Sequence, residues 1–133
     1  YYPLNADFTV RPPSTVVSDM QKMLSFAGAK PLVLQEVGYP ASTQLGSSDA
    51  AQAAFVRNVF QAWDSAGGRI PLLNFFLLHD VAPAQCEAWG SYYGLSNSAN
   101  FKAYLCSLGL RGPDGTPKAA WTALLDAARQ SGF

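Results

Sequence analysis

The chain has 133 residues, half of them apolar, with 9 basic and 9 acidic side chains scattered along it and no net charge. That length suits one domain with a real core, and the absence of a Lys/Arg cluster argues against a nucleic-acid or anionic-membrane surface. No apolar stretch reaches bilayer length, because Asn74, His79 and Asp80 interrupt or bound the best one. Pro12-Pro13-Ser14 opens a helix, with Ser14 as its N-cap, carried by Val16, Met20, Met23, Leu24 and Ala27 at helical spacing and stopped by Gly28. Residues 31–36 follow as a strand. Its wholly apolar run, bounded by turn residues, reads as one buried on both faces in a parallel sheet. The Gly-, Ser- and Pro-rich stretch 37–48 is a loop, and Ser47 or Ser48 caps a helix whose apolar face is Ala51, Phe55, Val59, Ala62 and Trp63. Gly67-Gly68 ends it, and residues 70–78 form a second buried strand. A long loop carrying Trp89, Tyr92 and Tyr93, a helix near 98–107, a turn at Gly112-Pro113-Asp114-Gly115 and a last helix with Trp121, Leu124, Leu125 and Ala128 on one face complete the chain. Strand–helix alternation at this spacing implies right-handed βαβ units and a parallel sheet, an α/β fold.

The segment Pro31-Leu32-Val33-Leu34-Gln35-Glu36-Val37-Gly38-Tyr39-Pro40 carries the most information. An ionisable group at the C-terminal end of a buried strand is costly unless it is hydrogen-bonded or needed for chemistry. In parallel α/β folds, active sites are built at that end. Glu36 is therefore the first candidate for a functional residue. Its bland alternative is a structural carboxylate that caps a helix or pairs with an arginine. Asp80, after the second strand, reads as a turn anchor or a substrate contact. The rings of Trp89, Tyr92 and Tyr93 either offer a flat face to sugar C–H groups or pack their loop down. Trp63 and Trp121, at core spacing, are packing residues.

Cys86 and Cys106 flank one loop, and either form a disulfide in an exported protein or remain two buried thiols. No Cys/His/Asp/Glu cluster has metal-ligand spacing and no Gly-rich phosphate loop is present, so neither metal nor organic cofactor is expected.

Glu36-Val37-Gly38-Tyr39-Pro40 resembles the Glu-x-Gly-Trp/Tyr segment that ends strand seven in retaining glycoside hydrolases of clan A. Tyr1-Tyr2-Pro3-Leu4 resembles the end of strand six, and Phe75-Phe76-Leu77-Leu78-His79-Asp80 resembles strand eight. Gly109-Leu110-Arg111, Asp114-Gly115 and Pro117-Lys118-Ala119-Ala120-Trp121 are similar to the run into the last barrel helix. The order of these motifs is more specific than any one of them.

The resemblance implies a partial (β/α)8 barrel, about its last three units, since a complete barrel needs about 250 residues. It also implies that the chain belongs to a longer enzyme, whose missing N-terminal part supplies the other strands. Glu36 is then the nucleophile of a double displacement on a poly- or oligosaccharide. Tyr2 is placed to donate to Glu36 and help keep it ionised. Tyr2, Tyr39, His79, Asp80 and Trp89 are the expected substrate contacts, with Tyr39 otherwise packing on the barrel rim and His79 otherwise bonding to a loop carbonyl, and secretion or a periplasmic location is expected. The acid/base carboxylate of that clan follows an asparagine at strand four, outside this chain. The tryptophan that commonly ends strand eight is also absent, Leu77-Leu78-His79-Asp80 standing there. A non-catalytic carbohydrate-binding or scaffold protein on a degenerate barrel is the main rival. An aldolase or isomerase barrel ranks last, because the lysine, metal cluster or phosphate loop it usually needs is not seen.

Overall fold

The structure, a computed structural model, describes residues 1–132. It is an α/β fold of five α-helices on a two-stranded parallel sheet: α1 (Thr15–Ala27), β1 (Val33–Val37), α2 (Asp49–Ser65), β2 (Leu72–Phe75), α3 (Pro83–Tyr92), α4 (Ala99–Cys106) and α5 (Ala119–Gln130). β1 and β2 are parallel, as the alternation requires, with Val33 opposite Leu72 and Leu34 opposite Leu73. The register then slips, so that Val37 faces Phe75. Three residues of β1 thus span two of β2, which places a bulge at Gln35-Glu36.

Helix entries follow local chemistry. The Ser48 hydroxyl accepts from the Ala51 amide at 3.1 Å and the Ser98 hydroxyl from Phe101 at 3.2 Å, each satisfying a donor of the first turn. Ser14 makes no such cap. Its backbone is already helical, and the turn is closed upstream, where the Thr15 amide donates to the Pro12 carbonyl at 3.0 Å.

Three clusters form the interior. Val16, Met20 and Leu24 of α1 and Phe55, Val59 and Ala62 of α2 bury Leu34 and Val37 of β1. The opposite stripe of α2, Ala53, Val56 and Phe60, meets Ala120, Ala123 and Ala127 of α5. Small residues on α5 allow the two helices to approach closely, so the stripe facing α2 is alanine. The expected face of Trp121, Leu124 and Ala128 packs at its edge, and the Arg111 guanidinium lies 5.2 Å from the Trp121 ring centre. A third, smaller core joins α3 and α4 around Cys86, Phe101 and Leu105.

Several expectations are corrected. Residues 1–4 are not a strand, and Leu4 pairs antiparallel with Val10. Yet the Tyr1 nitrogen donates to the Glu36 carbonyl and the Gly38 amide to the Tyr1 carbonyl, bonds that flank Val37 as in a parallel pair. Tyr1 therefore sits on the edge of β1 opposite β2. The strands are buried on one face only, Val33 being 53% and Leu72 51% exposed. The stretch expected as a loop around Trp89 and Tyr92 is helix α3, which starts on Pro83 in its favoured first-turn place. Cys86 and Cys106 form a disulfide between α3 and α4. Among the described residues, no helix is long and apolar enough to cross a membrane.

Candidate active site

Glu36 stands next to the C-terminal end of β1, inside the bulge. The strand's side chains run exposed, buried, exposed, exposed, buried from Val33 to Val37. The extra residue lets Leu34 and Val37 both face the helices while Gln35 and Glu36 are turned out of the core. A strict period-two strand would have put Glu36 and Leu34 on the same buried face. The Asn74 side chain donates to the Gln35 carbonyl at 3.2 Å and the Phe76 amide to the Val37 carbonyl at 2.9 Å, fixing both sides of the bulge to β2.

The Tyr2 hydroxyl donates to Glu36 Oε2 at 2.8 Å. The Tyr104 ring stands edge-on to Tyr2, with centres 5.5 Å apart. Burial, then the neighbouring Tyr104 and Glu36, hold the Tyr2 phenol above its ordinary range, and burial pushes Tyr104 up to about 12. Tyr2 therefore keeps its proton, and remains a donor, at any pH where the protein would work.

These groups open into a cleft of about 470 Å³. Glu36, Tyr2 and Phe76 form its strand-end wall. The α3–α4 hairpin supplies the facing wall, with Trp89, Tyr93 and Leu95 on one side and Phe101, Tyr104 and Leu105 on the other. Among the described residues, Glu36 is the sole charged one lining it. The arrangement suits a neutral ligand with apolar ring faces, held beside one carboxylate. Among the described residues, no three His, Cys, Asp or Glu side chains are grouped as a metal would need.

Of the residues singled out in the sequence, the structure thus brings Glu36, Tyr2, Trp89 and Tyr93 together. It does not bring the others. Tyr39 is 2% exposed, stacks on Phe55 and donates its hydroxyl to the Arg11 carbonyl at 2.7 Å, so it packs under the strand end. Asp80 accepts from the Gly109 amide at 2.7 Å and forms an ion pair with Lys118 at 3.1 Å, tying the end of the second strand segment to the entry of α5. His79 pairs along its backbone with Arg111, beside that anchor. Both Asp80 and His79 lie outside the cleft lining.

Sequence reasoning missed Phe76 and Tyr104. Strand alternation contains the signal for Phe76: Phe75 stacks on Phe60 of α2, so the next side chain must turn the other way, into the cleft. For Tyr104 the signal is the cysteine pair, which brings α4 against α3.

No protein-family model and no curated protein sequence matches the chain. Solved structures do resemble it, two GH5_18 structures among them. The GH5_18 structure from Streptomyces cattleya, in complex with GlcNAc, shares 22% identity and a TM-score of 0.61 over 88% of this chain. The GH5_18 structure from Bifidobacterium longum subsp. infantis shares 19% identity and a TM-score of 0.60 over 95% of it. In both cases the chain spans 26% of the neighbour's length. At these identities the likeness is one of fold: this α/β unit has the fold of a quarter of a GH5_18 glycoside hydrolase.

Proposed function

We propose that the chain is the C-terminal portion, strands six to eight, of a (β/α)8 glycoside hydrolase of clan A, and that Glu36 is its nucleophile. The observation that carries this reading is Glu36 itself, turned out of the core by a bulge and held by Tyr2 at 2.8 Å at the mouth of an aromatic cleft. The half-open sheet and the likeness to a quarter of two glycoside hydrolases support the incomplete barrel. The substrate is a neutral poly- or oligosaccharide. The Streptomyces neighbour is in complex with GlcNAc, a neutral monosaccharide of the kind from which such chains are built.

Glu36 attacks the anomeric carbon while an acid/base carboxylate, supplied from outside the described residues, protonates the departing glycosidic oxygen. The C–O bond to the leaving group breaks and a glycosyl–Glu36 ester forms. The same acid/base then takes a proton from water, which attacks the anomeric carbon and frees Glu36, with net retention. The mechanism requires no cofactor. The disulfide favours secretion or a periplasmic location.

The test uses the full-length protein and neutral oligosaccharides. Glu36→Gln keeps the side chain's shape but removes the anionic nucleophile, so turnover falls by several orders of magnitude while binding persists. Azide restores turnover to Glu36→Gly and yields a glycosyl azide of inverted configuration. Near-normal turnover in Glu36→Gln removes Glu36 from the role.

A further inference from the structure

Two rings stand in the open beyond the cleft. Tyr92 is 81% and Tyr93 60% exposed, side by side where α3 ends. A lone exposed ring calls for no explanation, but two fixed neighbours form a surface. Their rings meet edge to face, centres 5.1 Å apart and planes at 85°. Tyr93 in turn stands edge-on to the buried Phe101 at 5.7 Å, and the Cys86–Cys106 bridge pins α3 to α4. Tyr93 is therefore held in place, and a ligand that used it would lose little freedom in ordering it.

Tyr93 also lines the Glu36 cleft, so the surface is continuous with that cleft rather than a separate patch. An occupant must carry apolar faces and reach from the cleft to the corner that the two rings, at 85° to each other, enclose. The second ring of a neutral di- or oligosaccharide meets these conditions, its axial C–H groups resting on aromatic faces.

We propose that Tyr92 and Tyr93 form an outer subsite for such a second ring, so that the cleft selects chains over single sugars. This rests on the reading of the Glu36 cleft as a sugar site. The experiment measures affinities of the full-length Glu36→Gln protein, which cannot turn substrate over. The probes are the methyl glycosides of glucose, mannose and GlcNAc and the disaccharides cellobiose, mannobiose and diacetylchitobiose. The disaccharide that matches the bound monosaccharide should bind about tenfold more tightly, the range expected for burying one sugar face on a ring. Adding Tyr92→Ala should bring that ratio close to one, and adding Tyr92→Phe, which keeps the ring, should preserve it. Because Tyr92 is so exposed, neither change threatens the fold. A ratio equal in Tyr92→Ala and its parent overturns the outer subsite and leaves the Glu36 reading standing. Binding of none of the probes overturns both.

Discussion

A single methyl group at position 38 tests how closely the strand end and the cleft wall are coupled. Gly38 does not adopt a left-handed backbone, so alanine there meets no conformational penalty and acts only through space. Its Cβ would lie 2.5 Å from the Phe76 carbonyl oxygen, 2.7 Å from Tyr2 Cε1 and 3.2 Å from Leu108 Cδ2. Relief requires the end of β2 and the Tyr2 ring each to withdraw by about 1 Å. Phe76 is held to β1 by its amide and Tyr2 is held to Glu36 by its hydroxyl, so neither moves without breaking a cleft contact. Overpacking of this kind costs about 1–3 kcal/mol. With an unfolding entropy of about 2.1 cal/mol/K per residue, that lowers Tm by roughly 4–10 °C. Gly67→Ala is the control: Gly67 has φ of 58° and nothing within 4 Å of its Cβ position, so its cost of about 1 kcal/mol comes from the backbone alone. Thermal unfolding followed by circular dichroism, with sugar titration beside it, separates the two. Gly38→Ala should lose both stability and sugar affinity, and Gly67→Ala a little stability only. An unchanged Tm in Gly38→Ala, or a larger loss in Gly67→Ala, refutes the argument.

Three further outcomes are expected. Replacing Cys86 and Cys106 by serine opens a link across 20 residues of sequence, which by chain entropy removes about 3 kcal/mol and lowers Tm by roughly 10 °C; calorimetry showing no loss would mean the hairpin core holds α3 and α4 without the bridge. Tyr2→Phe deletes the donor to Glu36 while keeping the ring on Tyr104, so turnover of an oligosaccharide by the full-length protein should fall about tenfold with little change in Tm, a value at the low end for a bond to a charged group. Burial holds the Asp80 carboxyl above its ordinary range, with Lys118 and the Gly109 amide pulling it back. A raised folded-state value means that Asp80 favours the fold below the ordinary carboxylate range and loses that contribution as pH rises through the folded value. Lys118→Met removes a counterweight, so stability should drop more steeply than in the parent as pH rises through and above the ordinary carboxylate value of about 4, and parallel curves from denaturant titrations would exclude the coupling.

The elements legible in the sequence are those governed by local rules. The apolar runs and the helical spacing of Val16, Met20 and Leu24 placed the strands and α1, and of the two serines read as the cap of α2 it is Ser48 that caps it. Glu36 stood out because a lone carboxylate at the end of an apolar run contradicts its surroundings. What could not be read depends on contacts distant in sequence. The bulge at Gln35-Glu36 is a property of the pairing with β2, and nothing in β1 alone announces it. α3 has apolar residues without a clean stripe, because it buries only Cys86 and Gly90, so its periodicity is weak and the stretch reads as a loop. Tyr39 misled for the opposite reason: its place in a motif suggested the cleft, whereas its hydroxyl is taken up by the Arg11 carbonyl 28 residues away.

The two walls of the cleft differ in kind, and that difference bears on what each can do. The strand-end wall is tied to the main core: β1 is buried by α1 and α2, and Glu36, Tyr2 and Phe76 are locked by backbone pairing and close contact at Gly38. A shift there would misplace the carboxylate, and a displacement of about 1 Å can cost a reaction about a hundredfold. The facing wall belongs to a hairpin with its own small core and its own covalent tie. Tyr104 of the hairpin stands against Tyr2, but the hairpin core shares no buried member with the cluster around Leu34 and Val37. On the proposed reading, chemistry falls to the rigid strand end and recognition to the hairpin, the division expected when loops and insertions on a fixed scaffold set specificity. The exposed pair Tyr92 and Tyr93 lies wholly on the hairpin side of that division, which is why altering it should change which sugars bind before it changes how a bound sugar reacts.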